Sequence, residues 1–177
     1  GMPTAGYNQA LQVGNRVYVY DMSGAWTAKR WATIANDGSL SGWTNEGDNW
    51  GNYRYADIIQ VGNYLYRFGG EGDPYNCSRA PIANGAVGNF SGYRGMPNYY
   101  YGASAAVVGN YCYVIDTQYD GVWCRARISG QGDLGGWEVM SGSTAPNAYQ
   151  HADRMYVKGE WAYFFNYYGL YQAKVLN

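Results

Sequence analysis

Histidine is almost missing. His151 is the only one, so any His-based triad would need it, and no nucleophile stands beside it in sequence. Cysteine is nearly as scarce. Cys77, Cys112 and Cys124 form an odd set whose spacing matches neither a disulfide framework nor a zinc pattern. Charge is sparse as well, at 14% of residues, with a net charge of −1. No basic stripe appears, so the electrostatic footprint of a nucleic-acid binder is missing. No apolar run approaches the length of a membrane span, and no signal peptide precedes the first periodic segment. Gly1 ahead of Met2 reads as the remnant of a removed tag. No glycine-rich loop leads into a helix in the manner of a phosphate site. Asp48, Asp57, Glu71, Asp73 and Asp120 show no spacing that singles out a catalytic pair. Neither a metal nor another cofactor is expected.

Glycine and aromatic residues are plentiful instead. The 177 residues include 26 glycines and 21 tyrosines, and aromatics reach 18%. Aromatic side chains suit a pleated, half-buried surface, and glycine suits the turns between strands. One unit of about 48 residues recurs through the chain. Its turn glycines are Gly14, Gly62, Gly109 and Gly159, at steps of 48, 47 and 50. A tyrosine follows each at the same distance: Tyr18, Tyr66, Tyr113 and Tyr163. An Ala-x-Ile or Ala-x-Val triplet then begins at Ala32, Ala80, Ala126 and Ala173, and a later aromatic stands at Trp43, Tyr93 and Trp137.

Each copy reads as four short strands, a to d. The Val-Gly-Asn turn closes an a–b hairpin, with glycine and asparagine tolerating positive φ. Period-two alternation marks residues 57–61 and 64–68 as strands. In the first copy the strands are placed near 11–13, 16–20, 30–34 and 42–45. Four-stranded units of this length predict an all-β fold, a β-propeller of antiparallel blades with about 3.5 to 4 blades in this chain. It is read as one domain over 1–177, with blades at about 7–52, 53–99 and 100–148 and a partial fourth at 149–177. The fourth unit lacks its strand d. That predicts either capture of residues 1–6 along its edge or self-association through it.

The run Tyr64-Leu65-Tyr66-Arg67-Phe68-Gly69-Gly70 resembles strand b and the double glycine of the kelch-like propeller repeat family. The resemblance covers nearly the whole chain at the level of blade pattern, although only the second copy carries the double glycine. The Gly-, Tyr- and Asn-rich repeats are also similar to those of phage tail fibres and bacterial surface proteins. This resemblance implies an extracellular, cell-surface or virion-associated protein.

In an up-down-up-down blade the a–b and c–d turns share one face. The b–c loops and d–a connections share the other, where lengths vary, and loops on a rigid scaffold carry function. Tyr53, Tyr100 and Tyr149 each precede the alanine of an inner strand by three residues, which predicts a ring of tyrosines at the mouth of the axis. The other reading is a packing ring between blades. Trp26, Trp50, Tyr75 and Tyr119 lie on the surrounding loops. Flat rings stack on sugars, and neighbouring Asn, Asp and Arg bond hydroxyls. The expected function is therefore a non-catalytic module binding a glycan or another cell-surface ligand. The alternatives are a protein–protein interaction scaffold and, behind it, a propeller hydrolase or lyase. Cys112 and Cys124 flank one b–c turn and are placed nearly opposite each other, with two buried thiols or a cross-strand bridge as the outcomes.

Overall fold

The computed structural model describes residues 8–21, 29–46, 54–98, 100–117, 122–140, 154–166 and 169–174. Within them the chain is all-β, and its antiparallel sheets form the four blades of a β-propeller. The first blade is β1 (Asn8–Val13), β2 (Arg16–Asp21), β3 (Lys29–Ile34) and β4 (Leu40–Asn45), paired in that order. The second runs β5 (Asp57–Val61), β6 (Tyr64–Phe68), β7 (Asn76–Ala83) and β9 (Ser91–Gly95), with the short β8 (Ala86–Val87) folded against the end of β7. The third is β10 (Ala103–Val108), β11 (Tyr111–Asp116), β12 (Trp123–Ile128) and β13 (Leu134–Val139). The fourth has β14 (Arg154–Lys158), β15 (Trp161–Asn166) and β16 (Gly169–Lys174) among the described residues. The innermost strands pack in chain order, β1 on β5, β5 on β10 and β10 on β14.

Residues 57–61 and 64–68 are strands as read. In the first blade the ladder runs further than the apolar residues do, because backbone pairing continues from Val13↔Arg16 out to Asn8↔Asp21. The cysteine register also differs by a step. Cys112 stands opposite Ala126 and Cys124 opposite Val114, so the thiols are not direct cross-strand partners. All three cysteines are free and buried. Burial pushes the Cys77 thiol up to about 11 and that of Cys124 up to about 12, and it holds the Cys112 thiol well above its ordinary value.

Strand alternation gives each blade two faces, and both are apolar where blades meet. Val13, Tyr18 and Tyr20 of blade 1 pack on Ile58, Leu65 and Ala80 of blade 2. Tyr66, Phe68 and Cys77 then meet Ala105, Cys112 and Val114 of blade 3. Tyr113, Ile115 and Trp123 meet Met155, Ala162 and Phe164 of blade 4. Each fully buried large side chain contributes about 1.5–3 kcal/mol through removal from water.

A polar stitch accompanies each seam near the axis. The Gln9 side-chain oxygen accepts the Ile58 N–H at 2.8 Å. An Asp57 carboxylate oxygen accepts that of Ala105 at 2.7 Å. The Ser104 hydroxyl oxygen accepts that of Met155 at 2.6 Å. Gln9, Asp57 and Ser104 each stand five residues before a turn glycine, so one place in the repeat performs one task. A second stitch lies at the other end of the blades. The Tyr66 hydroxyl donates to the Gly132 carbonyl at 2.9 Å, and the Tyr18 hydroxyl accepts the Val87 N–H at 3.1 Å. At these two seams the repeating tyrosine is a latch onto the next blade. There the backbones nearly touch: a Cβ on Gly62 would lie 2.9 Å from the Gly132 Cα, which explains the glycine beyond its φ of +56°.

Candidate binding site

The loop face is built where the chain enters β5 and β10. Tyr55 lies just before β5 with φ at +67°, a left-handed conformation that a bulky residue rarely adopts. Such a residue costs about 1–3 kcal/mol and persists only when its surroundings over-determine it. Here they do. Its carbonyl accepts the Ala103 N–H at 3.0 Å, and the carbonyl of Arg54 accepts the Glu71 N–H at 3.0 Å. The Tyr55 ring lies 5.8 Å from that of Tyr101, tilted by 36°, and the Arg54 guanidinium sits 4.7 Å over it. Both rings are half-buried, so each keeps an accessible part.

The b–c loop of blade 2 is tied to the connection that leads into blade 3. Gly70 N–H donates to the Tyr100 carbonyl at 3.0 Å, and Tyr100 N–H donates to the Pro74 carbonyl at 2.8 Å. Met96 N–H donates to the Tyr75 carbonyl at 2.6 Å. The Asn76 amide donates to the Asp73 carboxylate at 2.8 Å, which firms the loop tip. A Cβ on Gly69 would stand 2.2 Å from the Tyr100 carbonyl oxygen, so only glycine admits this closeness. The double glycine of the sequence is thus the seat of the next blade's lead-in segment. Tyr75, on the same loop, is 57% exposed.

Tyr100 itself is not at the surface. It is 0% exposed within the core between blades 2 and 3, which corrects its placement in an accessible ring. The contact at Gly69 draws its backbone inward and leaves the ring no path to solvent. Burial, with the Cys124 thiol beside it, holds its phenol far above the usual range. Tyr53, Tyr149, Trp26, Trp50, Tyr119 and His151 lie outside the described residues. Of the predicted residues, Tyr75 is placed exposed on the loop face.

Sequence reasoning missed Arg54, Tyr55 and Tyr101. Tyr55 stands seven residues before its turn glycine and Tyr101 eight, so the pair occupies no common column of the repeat. Repetition could not mark it. Of the carboxylates considered, Asp57 is buried and committed to the seam, while Glu71 and Asp73 are half-buried. Among the described residues, no group of three His, Cys, Asp or Glu is arranged to hold a metal. No helix among them is long and apolar enough to cross a membrane. No protein-family model matches the chain, and no curated protein matches it either.

Proposed function

We propose that the chain is a non-catalytic binding module that takes a carbohydrate, or another cell-surface ligand, on its loop face. One observation carries the reading: the Arg54–Tyr55–Tyr101 cluster, held on a strained backbone by cross-blade hydrogen bonds, with Tyr75 exposed on the adjoining loop. Aromatic faces beside a guanidinium suit a sugar, whose apolar face stacks while its hydroxyls accept hydrogen bonds. A preorganised surface also loses little entropy on binding. The repeat is read as kelch-like on the same footing, supported by the seat that Gly69 provides. A glycan array followed by titration tests the proposal. Each of Tyr55→Ala, Tyr101→Ala and Tyr75→Ala should weaken the best array ligand by about 2- to 10-fold, the loss of roughly 0.5–1.5 kcal/mol per aromatic contact. An array without hits, or three variants that bind like the parent, would reject it.

One feature favours a second reading, that of a protein-interaction scaffold. Tyr156, Trp161, Phe165 and Leu170 are exposed large hydrophobic residues that share the outer face of blade 4. The same face of blades 1 to 3 is covered by the blade that follows. The surface it fits is therefore the opposite face of a first blade, supplied by a second copy. Light scattering over a concentration series should show association, which Phe165→Asp abolishes. A monomer at every concentration sinks this reading and leaves the loop-face proposal standing.

A further inference from the structure

The seam between blades 2 and 3 carries a concave feature built from β7, β9 and the β12–β13 turn rather than from the loop face. It is a groove of about 790 Å³ whose lining includes Arg79, Tyr93, Arg94, Arg127, Asp133 and Leu134. Its floor is fixed. The Tyr93 hydroxyl donates to the Leu134 carbonyl at 3.1 Å, joining the two blades. Arg79 is also fixed, with its guanidinium 4.3 Å from the Tyr64 ring and 4.2 Å from that of Tyr93. Its charge is cancelled by an ion pair with Asp133.

Arg94 and Arg127 remain. Both are exposed, and neither forms an ion pair among the described residues. Arg125 is different, since Glu138 answers it at 3.1 Å. Three arginines against one aspartate leave the groove at +2, on a chain whose net charge is −1. Two unanswered guanidinium groups beside one opening suit a ligand with two anionic groups, because each fork can meet a carboxylate or a sulfate with paired hydrogen bonds.

We propose that this groove binds an acidic oligosaccharide, whose carboxylate or sulfate groups are taken by Arg94 and Arg127. The ring of Tyr93 already has Arg79 at 4.2 Å and Arg94 at 5.2 Å, so it is no free platform for a nucleobase. Ser129 and Gly130 also line the groove and are exposed, which leaves a hydroxyl and main-chain groups to meet the hydroxyls of a sugar.

Calorimetric titration with a galacturonate hexamer, a heparin-derived hexasaccharide and the neutral cellohexaose tests the proposal. At least one acidic hexamer should bind, the neutral one should not, and the affinity should fall as salt rises. Which acidic hexamer binds distinguishes carboxylate from sulfate as the recognised group. Arg94→Gln combined with Arg127→Gln should weaken acidic binding at least tenfold with the melting temperature unchanged, while Arg125→Gln leaves binding within twofold. Acidic hexamers that bind no better than cellohexaose overturn the proposal. So does a double variant within twofold of the parent, and so does equal affinity for a single-stranded oligonucleotide.

Discussion

Phe68 and Phe165 hold the same place in the repeat, six residues after a turn glycine, and meet opposite surroundings. Phe68 is 0% exposed, stacked 6.1 Å from Tyr66 and edge-on to Trp137 at 5.9 Å. Phe165 is 46% exposed, with the edge of Tyr156 at 5.6 Å. The turn glycines differ in the same way. Gly62 presses on the Gly132 backbone, whereas a Cβ on Gly159 would meet nothing within 4 Å. A blade's sequence therefore makes a face fit for burial, and only the next blade buries it. The apolar pattern is a property of the repeat, and the stability drawn from it belongs to the seam.

The matched pairs make that statement breakable. The largest effect should come from Phe68→Ala, at about 3–5 kcal/mol of stability in urea unfolding, since a buried ring leaves a cavity behind. Gly62→Ala comes next, at about 1–3 kcal/mol and well above the cost of Gly159→Ala. Both glycines have positive φ, so the difference between the two variants isolates the backbone contact across the seam. Alkali should act on the seam as well. The folded chain keeps the Cys77 thiol protonated up to about 11, above its ordinary value of 9.0. Its contribution is thus complete below pH 9 and is lost as pH climbs toward 11, so the urea midpoint should fall across that window. A Cys77→Ala variant should show a shallower fall. The smallest effect belongs to Phe165→Ala, within about 0.5 kcal/mol. A cost near that of Phe68→Ala would show that the outer face of blade 4 is covered in solution.

Much of the fold was legible because its signals are local and repeated. The Val-Gly-Asn turns give the hairpins and alternation gives the faces, while the tyrosine column was visible as a repeat but its bond onto the next blade was not. The second blade's outer strand was less legible: β8 interrupts the path from β7 to β9, and no repeat column announces it. The register of Cys124 was missed by one because it depends on the b–c turn rather than on strand composition. The loop face was least legible. Tyr100 and Tyr101 are neighbours in sequence, yet one lies in the core and the other packs against Tyr55 at the surface. That choice is made by the approach of Gly69 from the loop after β6, which no periodicity encodes.

The stitch near the axis bears on how such a chain can grow. Glutamine, aspartate and serine perform the same task at three successive seams, and in each case the partner is a main-chain amide. Every residue except proline offers that amide, whatever its side chain. A duplicated blade placed beside an existing one thus finds its partner already present, without a matching mutation on the other side. Lengthening by whole repeats demands no coordinated change at this joint, and the copies are free to diverge afterwards as long as one acceptor is kept.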